Sequence, residues 1–467
     1  MDVVERSTRL PFPAEAIYAW HARPSAFERL TPPWERVEML ERTGGLADAR
    51  ALIRIRLGPL GIRWTALHRD HIPDRQFVDE QARGPFAHWV HTHRFVPDGV
   101  SASVVTDRVE FGLPGGALGA AVGGWLVRHR IERLLAYRHT LLAGDLAAHA
   151  RFADRGPLRI AVTGAGGLVG RTLVAFLSTG GHTVLPVVRR AARPGEIAWD
   201  GRSRLDRAAL EGADAVVHLA GENIAAGRWT RARRRRIRES RLAGTALIAR
   251  TLAELRRPPR VLVAAAAIGI YGDRGDAVVD DASLPGPPGR FLGDLCREWE
   301  AAAEPARRAG IRVCHPRFGA VLSPAGGALA KMLPVFRAGL GGPLGGGRQW
   351  MAWLSAEDAA GALHHALFTD ALDGPFNATA PAPVTNAEFT ATLGRVLHRP
   401  AVLPVPAAAL RLAFGAMADE TILASARVVP SRLLASGYAF RHPALEDALR
   451  FELGRFANAP GPSRIPP

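Results

Sequence analysis

Three glycines at a regular spacing are the residues of this sequence whose chemistry is easiest to name. Gly164, Gly167 and Gly170 stand three residues apart in the stretch TGAGGLVG, directly after the apolar segment 158–162. Missing side chains there allow a tight turn, close approach of the backbone to a pyrophosphate, and close packing of a helix on a strand. The N-terminus of the following helix would present free N–H groups to phosphates. The pattern predicts a dinucleotide site.

Two cations follow at the place that distinguishes one dinucleotide from another. The next predicted strand, residues 182–188, is followed by Arg189 and Arg190. An NAD-selective protein usually carries Asp or Glu here to bind the ribose hydroxyls, whereas a cation favours a 2′-phosphate. We therefore predict NADP(H) in preference to NAD(H). The alternative is a pair of solvated arginines in an arginine-rich chain.

A second group of residues with possible chemistry is a set of histidines. His88, His91 and His93 stand in the segment GPFAHWVHTHRF. In an extended strand His91 and His93 share one face, as two metal ligands would, whereas His88 points to the other. No Asp, Glu or Cys within the segment completes a ligand set. We therefore expect no metal site, and interpret these histidines as surface or pocket-lining residues.

The elements that must position the glycines alternate along the chain. From residue 158 onward, apolar segments typical of short buried strands alternate with helical segments, which predicts a doubly wound parallel sheet of the α/β class. The predicted strands are 158–162, 182–188, 214–219, 260–265 and 312–316. The third strand runs into Ala220 and Gly221, small residues that let a cofactor lie against the backbone.

The first 150 residues follow a different pattern, which is typical of an antiparallel sheet. Short alternating segments separated by Gly, Pro and Asp predict strands at 51–57, 62–68, 76–81, 88–96 and 101–111. Apolar residues at helical spacing between Trp125 and Leu142 then predict one long amphipathic helix. A curved sheet closed by such a helix would enclose an apolar cavity. The polar segment 144–157 is predicted to be a hinge between domains.

Composition narrows the classes of partner. The chain has 467 residues and a formal charge of +16, and all but one of its 60 cationic residues are arginine. The arginines are spread over the whole length, whereas a nucleic-acid-binding face should be local. The run RARRRRIR at 231–238 has no interleaved aromatic residues and fits a solvated helix face. We expect no nucleic-acid partner.

Cysteine usage and hydropathy indicate the compartment. Cys296 and Cys314 have no partner cysteines, so neither a disulfide framework nor a zinc cluster is supported. Asp2, Glu5 and Arg6 precede any apolar stretch at the N-terminus, so a signal peptide is not expected. The longest uncharged run, residues 111–127, contains a proline and six glycines and is too short for a membrane span. We expect a cytoplasmic protein without a membrane span.

The first region resembles the helix-grip domains of the polyketide cyclase and lipid-transfer superfamily (SRPBCC) over about residues 1–143. The resemblance is carried by RSTRLPFPAEAIYAWHARPSAFERLTPPW, GPFAHWVHTHRF and VEFGLPGG. It implies an α+β helix-grip domain with a pocket for a hydrophobic small molecule.

From residue 158 to about 453 the chain resembles the atypical, epimerase-like branch of the extended short-chain dehydrogenase/reductase superfamily. Its motifs include TGAGGLVG, VVHLAGENIAAGRWT, GIYGDRGD and LSPAGGALAKMLPVFRAGLGGPLGGGRQWMAWL. The implied domains are a helix-grip domain at 1–148, an NAD(P)-binding Rossmann domain at 158–380 and a small, mostly helical C-terminal domain at 381–460. The cofactor contacts implied within and beyond the glycine turn are Gly164, Gly167, Leu168, Val169, Gly170, Val188, Arg189, Leu219, Ala220, Gly221, Arg241 and Val321.

The catalytic residues of that superfamily are absent. Active members use a Tyr-x-x-x-Lys pair, in which the phenol moves the proton that accompanies hydride transfer, together with a Ser or Thr. The sole lysine, Lys331, has Gly327 four residues before it, and the two positions of the pair correspond to Leu292 and Cys296. The stretch that usually carries the serines reads Ala-Ala-Ala-Ala at 264–267.

Few residues could substitute for the missing groups. Tyr271 is the candidate acid, with packing of a tight turn as the alternative. Arg348, Trp350 and Trp353 follow a glycine-rich stretch and could bind an anionic substrate and stack on it. The alternative is a loop that only caps the sheet. Two functions remain open: an NADP(H)-binding oxidoreductase or epimerase of unknown substrate, and a non-catalytic NADP(H)-sensing regulatory protein.

Overall fold

The structure is a computed structural model that describes residues 1–58 and 60–456. It divides into two units. The first comprises Met1–Arg151, Ser178–Gly181 and the described residues from Arg450 onward, and the second comprises Phe152–Leu177 and His182–Leu449. Residues 381–449 of the predicted C-terminal domain therefore belong to the second unit.

The first unit is built around an antiparallel sheet of seven strands, in the order β1-β7-β6-β5-β4-β3-β2. Its strands are β1 (Asp2–Leu10), β2 (Val37–Thr43), β3 (Arg50–Leu57), β4 (Leu60–Ile72), β5 (Gln76–Arg83), β6 (His88–Pro97) and β7 (Ser103–Gly112). Its helices are α1 (Ala14–Ala22), α2 (Ala26–Leu30) and α3 (Gly116–Ala150). The five predicted strands are present, and β1 and β2 are additional.

The core of the first unit lies between one face of this sheet and the helices α1 and α3. Trp20, Phe95 and Leu135 are fully buried there. Along β7 every second residue is buried, because successive side chains of a strand point to opposite faces. One of the buried positions is Asp107, so the interior is not the purely apolar space that the sequence predicts. Helix α3 reaches Ala150, and the first half of the predicted hinge is therefore helical.

A parallel sheet forms the centre of the second unit, which confirms the predicted fold class. The strand order is β10-β9-β8-β11-β12-β15, with β13 and β19 also paired to β15. Its strands are β8 (Arg159–Thr163), β9 (Thr183–Val188), β10 (Ile197–Ala198), β11 (Ala215–His218), β12 (Val261–Ala264), β13 (Ala266–Ala267), β15 (Arg312–Phe318) and β19 (Gly374–Ala378). The central strands are almost continuously buried, as expected when helices cover both faces.

Helices and short strands complete the rest of the chain. The helices are α4 (Leu168–Thr179), α5 (Arg207–Leu210), α6 (Arg231–Ala253), α7 (Phe291–Ala301), α8 (Glu304–Arg308), α9 (Gly327–Arg337), α10 (Ala356–Phe368), α11 (Asn386–Leu397), α12 (Ala407–Phe414), α13 (Ser431–Ala435) and α14 (Leu445–Glu452). The short strands are β14 (Val278–Val279), β16 (Ala320–Leu322), β17 (Trp350–Met351), β18 (Trp353–Ser355), β20 (Val384–Thr385) and β21 (Arg427–Val428).

Side-chain caps fix where three of these helices begin. The hydroxyls of Thr230, Ser355 and Thr385 each accept a backbone N–H in the first turn of α6, α10 and α11. Among the described helices, none combines the length and the apolar character needed to cross a membrane.

Candidate functional site

The glycine turn between β8 and α4 forms a cradle that side chains would fill. Gly164 has a φ of +68°, and a Cβ there would lie 2.8 Å from the backbone nitrogen of Ala220. A Cβ at Gly170 would lie 2.1 Å from the carbonyl oxygen of Gly164. The N–H of Gly167 donates to that same oxygen at 2.9 Å. Helix α4 begins directly after the turn, and its N-terminal N–H groups suit a pyrophosphate.

The implied cofactor residues meet at the carboxyl edge of three adjacent strands. Strand β8 lies between β9 and β11, so the chain reverses direction across the sheet at β8, which is where ligands bind in such folds. Val188 ends β9 and Arg189 follows it, whereas Leu219, Ala220 and Gly221 follow β11. The structure therefore brings the residues of three separate motifs to one edge.

Thr163, which the sequence analysis did not single out, joins two of these strand ends. Its Oγ1 accepts the backbone N–H groups of Leu219 at 3.1 Å and Ala220 at 3.2 Å, and lies 2.7 Å from Nδ1 of His218. Burial and, secondarily, the nearby Arg241 cation lower the pKa of His218 to about 4, which keeps the imidazole neutral. A polar residue at the end of an apolar strand is the sequence signal that could have indicated Thr163.

The two arginines after β9 differ in their contacts. Arg190 is paired with Glu196, with a nitrogen–oxygen distance of 2.7 Å. Arg189 is exposed, and no residue within 1–58 and 60–456 forms a hydrogen bond or an ion pair with its side chain. Of these two arginines, Arg189 is therefore the one whose side chain is available to a ligand at this edge.

Arg241 and Val321 come to the same site from distant parts of the chain. The guanidinium of Arg241, on α6, lies 3.3 Å from the position that a Cβ of Gly221 would occupy. It donates to the carbonyl oxygen of Glu222 at 3.0 Å, and burial lowers its pKa. The carbonyl oxygen of Val321 and the side chain of Leu168 both lie within 3.5 Å of a Cβ placed at Gly327. This places Val321 beside the first turn of α4.

The predicted substrate residues are only partly available. Arg348 is exposed, whereas Trp350 is half-buried, donates its indole N–H to Asp276 at 3.0 Å and lies under the guanidinium of Arg427 at 4.3 Å. Trp353 is fully buried and donates its indole N–H to the carbonyl oxygen of Ala382 at 3.0 Å. The expectation that Trp353 stacks on a substrate is therefore corrected: this side chain belongs to the core.

Three family models match successive parts of the chain. Residues 10–136 match the polyketide cyclase / dehydrase and lipid transport family. Residues 160–378 match the NAD dependent epimerase/dehydratase family, and residues 405–452 match a domain of unknown function (DUF1731). The epimerase family protein Mb2239 of Mycobacterium bovis is 44% identical over 298 residues, which are 63% of this chain and 98% of that protein. The chain belongs to the epimerase family.

Solved structures of relatives agree with this family. The nucleoside-diphosphate sugar epimerase from Corynebacterium glutamicum has a TM-score of 0.79 and 33% identity, covering 97% of this chain and 90% of that one. The human epimerase family protein SDR39U1, solved with NADPH, has a TM-score of 0.58 and 37% identity, covering 63% of this chain and 98% of that one. The resemblance to the epimerase-like branch with an additional helix-grip domain is thereby confirmed.

In this epimerase-family chain, the candidate acid Tyr271 lies inside a closed hydrogen-bond network. Its hydroxyl donates to Oδ1 of Asn377 at 2.8 Å and accepts from Nη1 of Arg317 at 2.9 Å, and its side chain is fully buried. Arg317 is in turn paired with Glu300 at 2.7 Å. Burial raises the pKa of Tyr271. These contacts favour the alternative interpretation, in which Tyr271 packs and braces a tight turn.

Helix α7 carries the two positions at which the resemblance to the wider superfamily predicts the catalytic pair. Leu292 and Cys296 are both buried there. Burial raises the pKa of the Cys296 thiol to about 12, so the thiol stays protonated near neutral pH and is a poor nucleophile. Neither position offers a proton-transfer group of ordinary pKa.

The histidines of β6 lie next to residues from other strands, which the segment GPFAHWVHTHRF does not contain. His91 and His93 are buried on the inner face of the first unit, and Asp79 and Asp107 reach them from the neighbouring strands β5 and β7. The segment itself contains no carboxylate, whereas strand pairing brings Asp79 and Asp107 to the two rings. His88 is half-buried and points to the other face, as predicted.

Proposed function

We propose that the second unit binds NADP(H) at the carboxyl edge of β8, β9 and β11, and that this epimerase-family protein uses it in an oxidoreductase or epimerase reaction. The observation that carries the proposal is the cradle at Gly164 and Gly170, where a Cβ would collide with backbone. NADP(H) supplies the hydride donor or acceptor when it is bound. NADPH also occupies the structure of the human relative SDR39U1.

Different residues of the chain would bind different parts of NADP(H) and of the substrate. Backbone N–H groups of the glycine turn and of α4 hold the diphosphate, and Arg189 pairs with the 2′-phosphate. Thr163 and Arg241 hold the backbone that follows β11 at a fixed distance from the turn. Exposed Arg348 is suited to an anionic group of the substrate, such as the diphosphate of a nucleotide sugar, the class named for the Corynebacterium glutamicum relative.

The preference for the phosphorylated dinucleotide is testable with a matched pair of variants. Arg189→Ala should weaken NADPH binding by about 10-fold to 150-fold and leave NADH binding nearly unchanged, since a hydrogen-bonded charge pair contributes about 1.5–3 kcal/mol. Arg190→Ala is the control, because Glu196 already pairs with that side chain. Dissociation constants measured by calorimetry would check both. Equal affinity of the unaltered protein for NADPH and NADH would contradict the preference.

A second candidate function is NADP(H) sensing without turnover. Buried Leu292 and Cys296 on α7, and the closed network around Tyr271, favour it because these positions offer no proton donor of ordinary pKa. The two functions are separated by incubating the protein with NADPH and a panel of carbonyl compounds and nucleotide sugars. Loss of nicotinamide absorbance or epimerised product supports an enzyme, whereas tight binding without either supports a sensor.

For the first unit we infer a hydrophobic small-molecule partner. The match to the polyketide cyclase / dehydrase and lipid transport family supports this, as do the aromatic residues of its interior, among them Trp20, Phe77 and Phe95. Native mass spectrometry of the purified chain would detect a co-purified apolar ligand. The inference would be contradicted if the purified chain had the mass of the unliganded protein and also bound no fatty-acid or polyketide-like probe.

A further inference from the structure

Three side chains of the first unit converge on one point from two neighbouring strands. Asp79 on β5 pairs in register with His91 on β6, and His93 lies two residues further on the same face. Oδ2 of Asp79 is 3.1 Å from Nε2 of His93 and 3.7 Å from Nδ1 of His91. One donor atom from each of the three residues lies within 4.8 Å of the other two.

A second carboxylate faces the opposite nitrogen of each ring. Asp107 on β7 pairs in register with His93. Its Oδ1 lies 2.6 Å from Nδ1 of His93 and 3.1 Å from Nε2 of His91. Both imidazoles are therefore held between Asp79 on one side and Asp107 on the other. A carboxylate on the far nitrogen is the arrangement that fixes the tautomer and orientation of metal-binding histidines.

Further side chains hold the two carboxylates in turn. His139 on α3 places Nε2 2.9 Å from Oδ2 of Asp107, and its Nδ1 lies 2.7 Å from Oγ1 of Thr8. His68 on β4 places Nε2 2.6 Å from Oδ1 of Asp79. The oxygen Oδ2 of Asp79 is thus turned towards the two rings of β6, and the whole group is positioned by six elements, β1, β4, β5, β6, β7 and α3.

Of the four side chains, that of Asp79 is the most exposed. The side chains of His91 and His93 are 4% exposed and that of Asp107 is 6% exposed, whereas the side chain of Asp79 is 26% exposed. An ion could therefore reach the donors along the Asp79 side. The dry surroundings on the other sides would strengthen its binding.

We propose that Asp79, His91 and His93 bind one divalent transition-metal ion of the zinc class. Two imidazole nitrogens and one carboxylate oxygen form a donor set that Zn²⁺ and Fe²⁺ share, and three protein ligands leave a position for water or substrate. Tetrahedral ligands about 2.0–2.1 Å from zinc stand roughly 3.3 Å apart. The separations of 3.1 Å and 3.7 Å lie on either side of that value. The competing interpretation is a metal-free ion-pair network.

The first test uses the full chain without an affinity tag. The protein is stripped with a chelator, mixed with Zn²⁺ or Co²⁺, passed through a desalting column and analysed by mass spectrometry for metal. One ion per chain is expected. X-ray absorption of the zinc form should show only nitrogen and oxygen neighbours with the scattering of two imidazoles. Substoichiometric metal, or a sulfur neighbour, would overturn the proposal without reliance on any variant.

Variants then assign the ligands. His91→Ala and Asp79→Asn should each weaken zinc binding by about 100-fold or more. His88→Ala is the matched control, since it removes an imidazole from the same strand on the opposite face and should retain the full metal content. Asp107→Asn tests a positioning residue: about tenfold to 100-fold weaker binding is expected, with a shifted Co²⁺ spectrum. Circular dichroism confirms folding of each variant. Metal retained by folded His91→Ala and Asp79→Asn, or lost in His88→Ala, would overturn the assignment.

Discussion

The two proposed binding sites, in the interior of the first unit and at the strand edge of the second, are built from different parts of the chain. In the first unit the proposed binding groups are the side chains of Asp79, His91 and His93, and each depends on its neighbours for charge compensation. In the second, the backbone of the turn at Gly164 does the binding, and the essential feature is the absence of side chains. The removal of one charged side chain should therefore disturb the site of the first unit. The addition of a side chain should disturb the turn of the second unit.

The largest expected effect is on the stability of the first unit. Asp107→Asn removes a buried carboxylate that faces three imidazoles, and breaking a buried ionic group typically costs about 3–5 kcal/mol because the partner charge remains. The control is Asp98→Asn at the exposed pair with Arg9, which should cost less than about 1 kcal/mol. Urea unfolding of the metal-free protein, followed by circular dichroism, measures both. Equal costs would show that burial of the network contributes nothing.

The next effect is on nucleotide binding and should leave the first unit unchanged. In Gly170→Ala the added Cβ would lie 2.1 Å from the carbonyl oxygen of Gly164, so the turn or α4 must shift. We expect NADPH affinity to fall by about 100-fold, equivalent to roughly 2.7 kcal/mol. Gly166→Ala is the matched control, because no heavy atom lies within 4 Å of a Cβ there. Calorimetric titration of both variants checks the prediction, which fails if they bind NADPH alike.

Acid should destabilise the second unit through one buried imidazole, that of His218. The pKa of His218 is about 4 in the folded second unit and near 6.5 when exposed, so below pH 6.5 the unfolded chain binds the extra proton. Its contribution to stability is therefore present above about pH 6.5 and is lost as the pH falls towards 4. Between pH 7 and pH 5 the loss is about 2 kcal/mol.

His218→Asn should remove this part of the pH dependence. The difference in unfolding free energy between pH 7 and pH 5, measured in urea, should shrink by about 2 kcal/mol relative to the unaltered chain. His398→Asn, at an exposed position of the same unit, should leave the difference as it is. An unchanged slope in His218→Asn would mean that the imidazole is not held neutral by burial.

The fold was largely predictable because its signals are local. The strands around the glycine turn are continuous apolar runs, and the alternating segments of the first unit are bounded by turn residues. Strand β19 was missed because Gly374–Ala378 is short and contains Pro375 and Asn377, which are tolerated where only one neighbour is paired. Strand β1 was missed because its pairing with β7 joins residues about a hundred positions apart.

The two candidate sites also differ in how far local sequence patterns predict them. The residues of the nucleotide edge lie in contiguous motifs, and the structure brings them together. The group around His91 could not be assembled from one segment, because Asp79, Asp107 and His139 come from three other elements and meet only through strand register and helix packing. The exposure of a side chain is equally difficult to predict from sequence. Trp353 matches a substrate loop in sequence, yet packing buries its side chain completely.

The smallest expected effect concerns Tyr271, for which the sequence left two roles open, a catalytic acid and a packing residue of a tight turn. Tyr271→Phe removes one hydroxyl from the network with Asn377 and Arg317, which should cost about 1–2 kcal/mol of stability. Any turnover found should remain within about twofold, because the hydroxyl is enclosed by protein partners. A general acid would contribute about 100-fold to 10,000-fold. Rates of NADPH consumption by the folded variant therefore distinguish the two roles: a loss of that size would return Tyr271 to the reaction and show that its network opens when substrate binds.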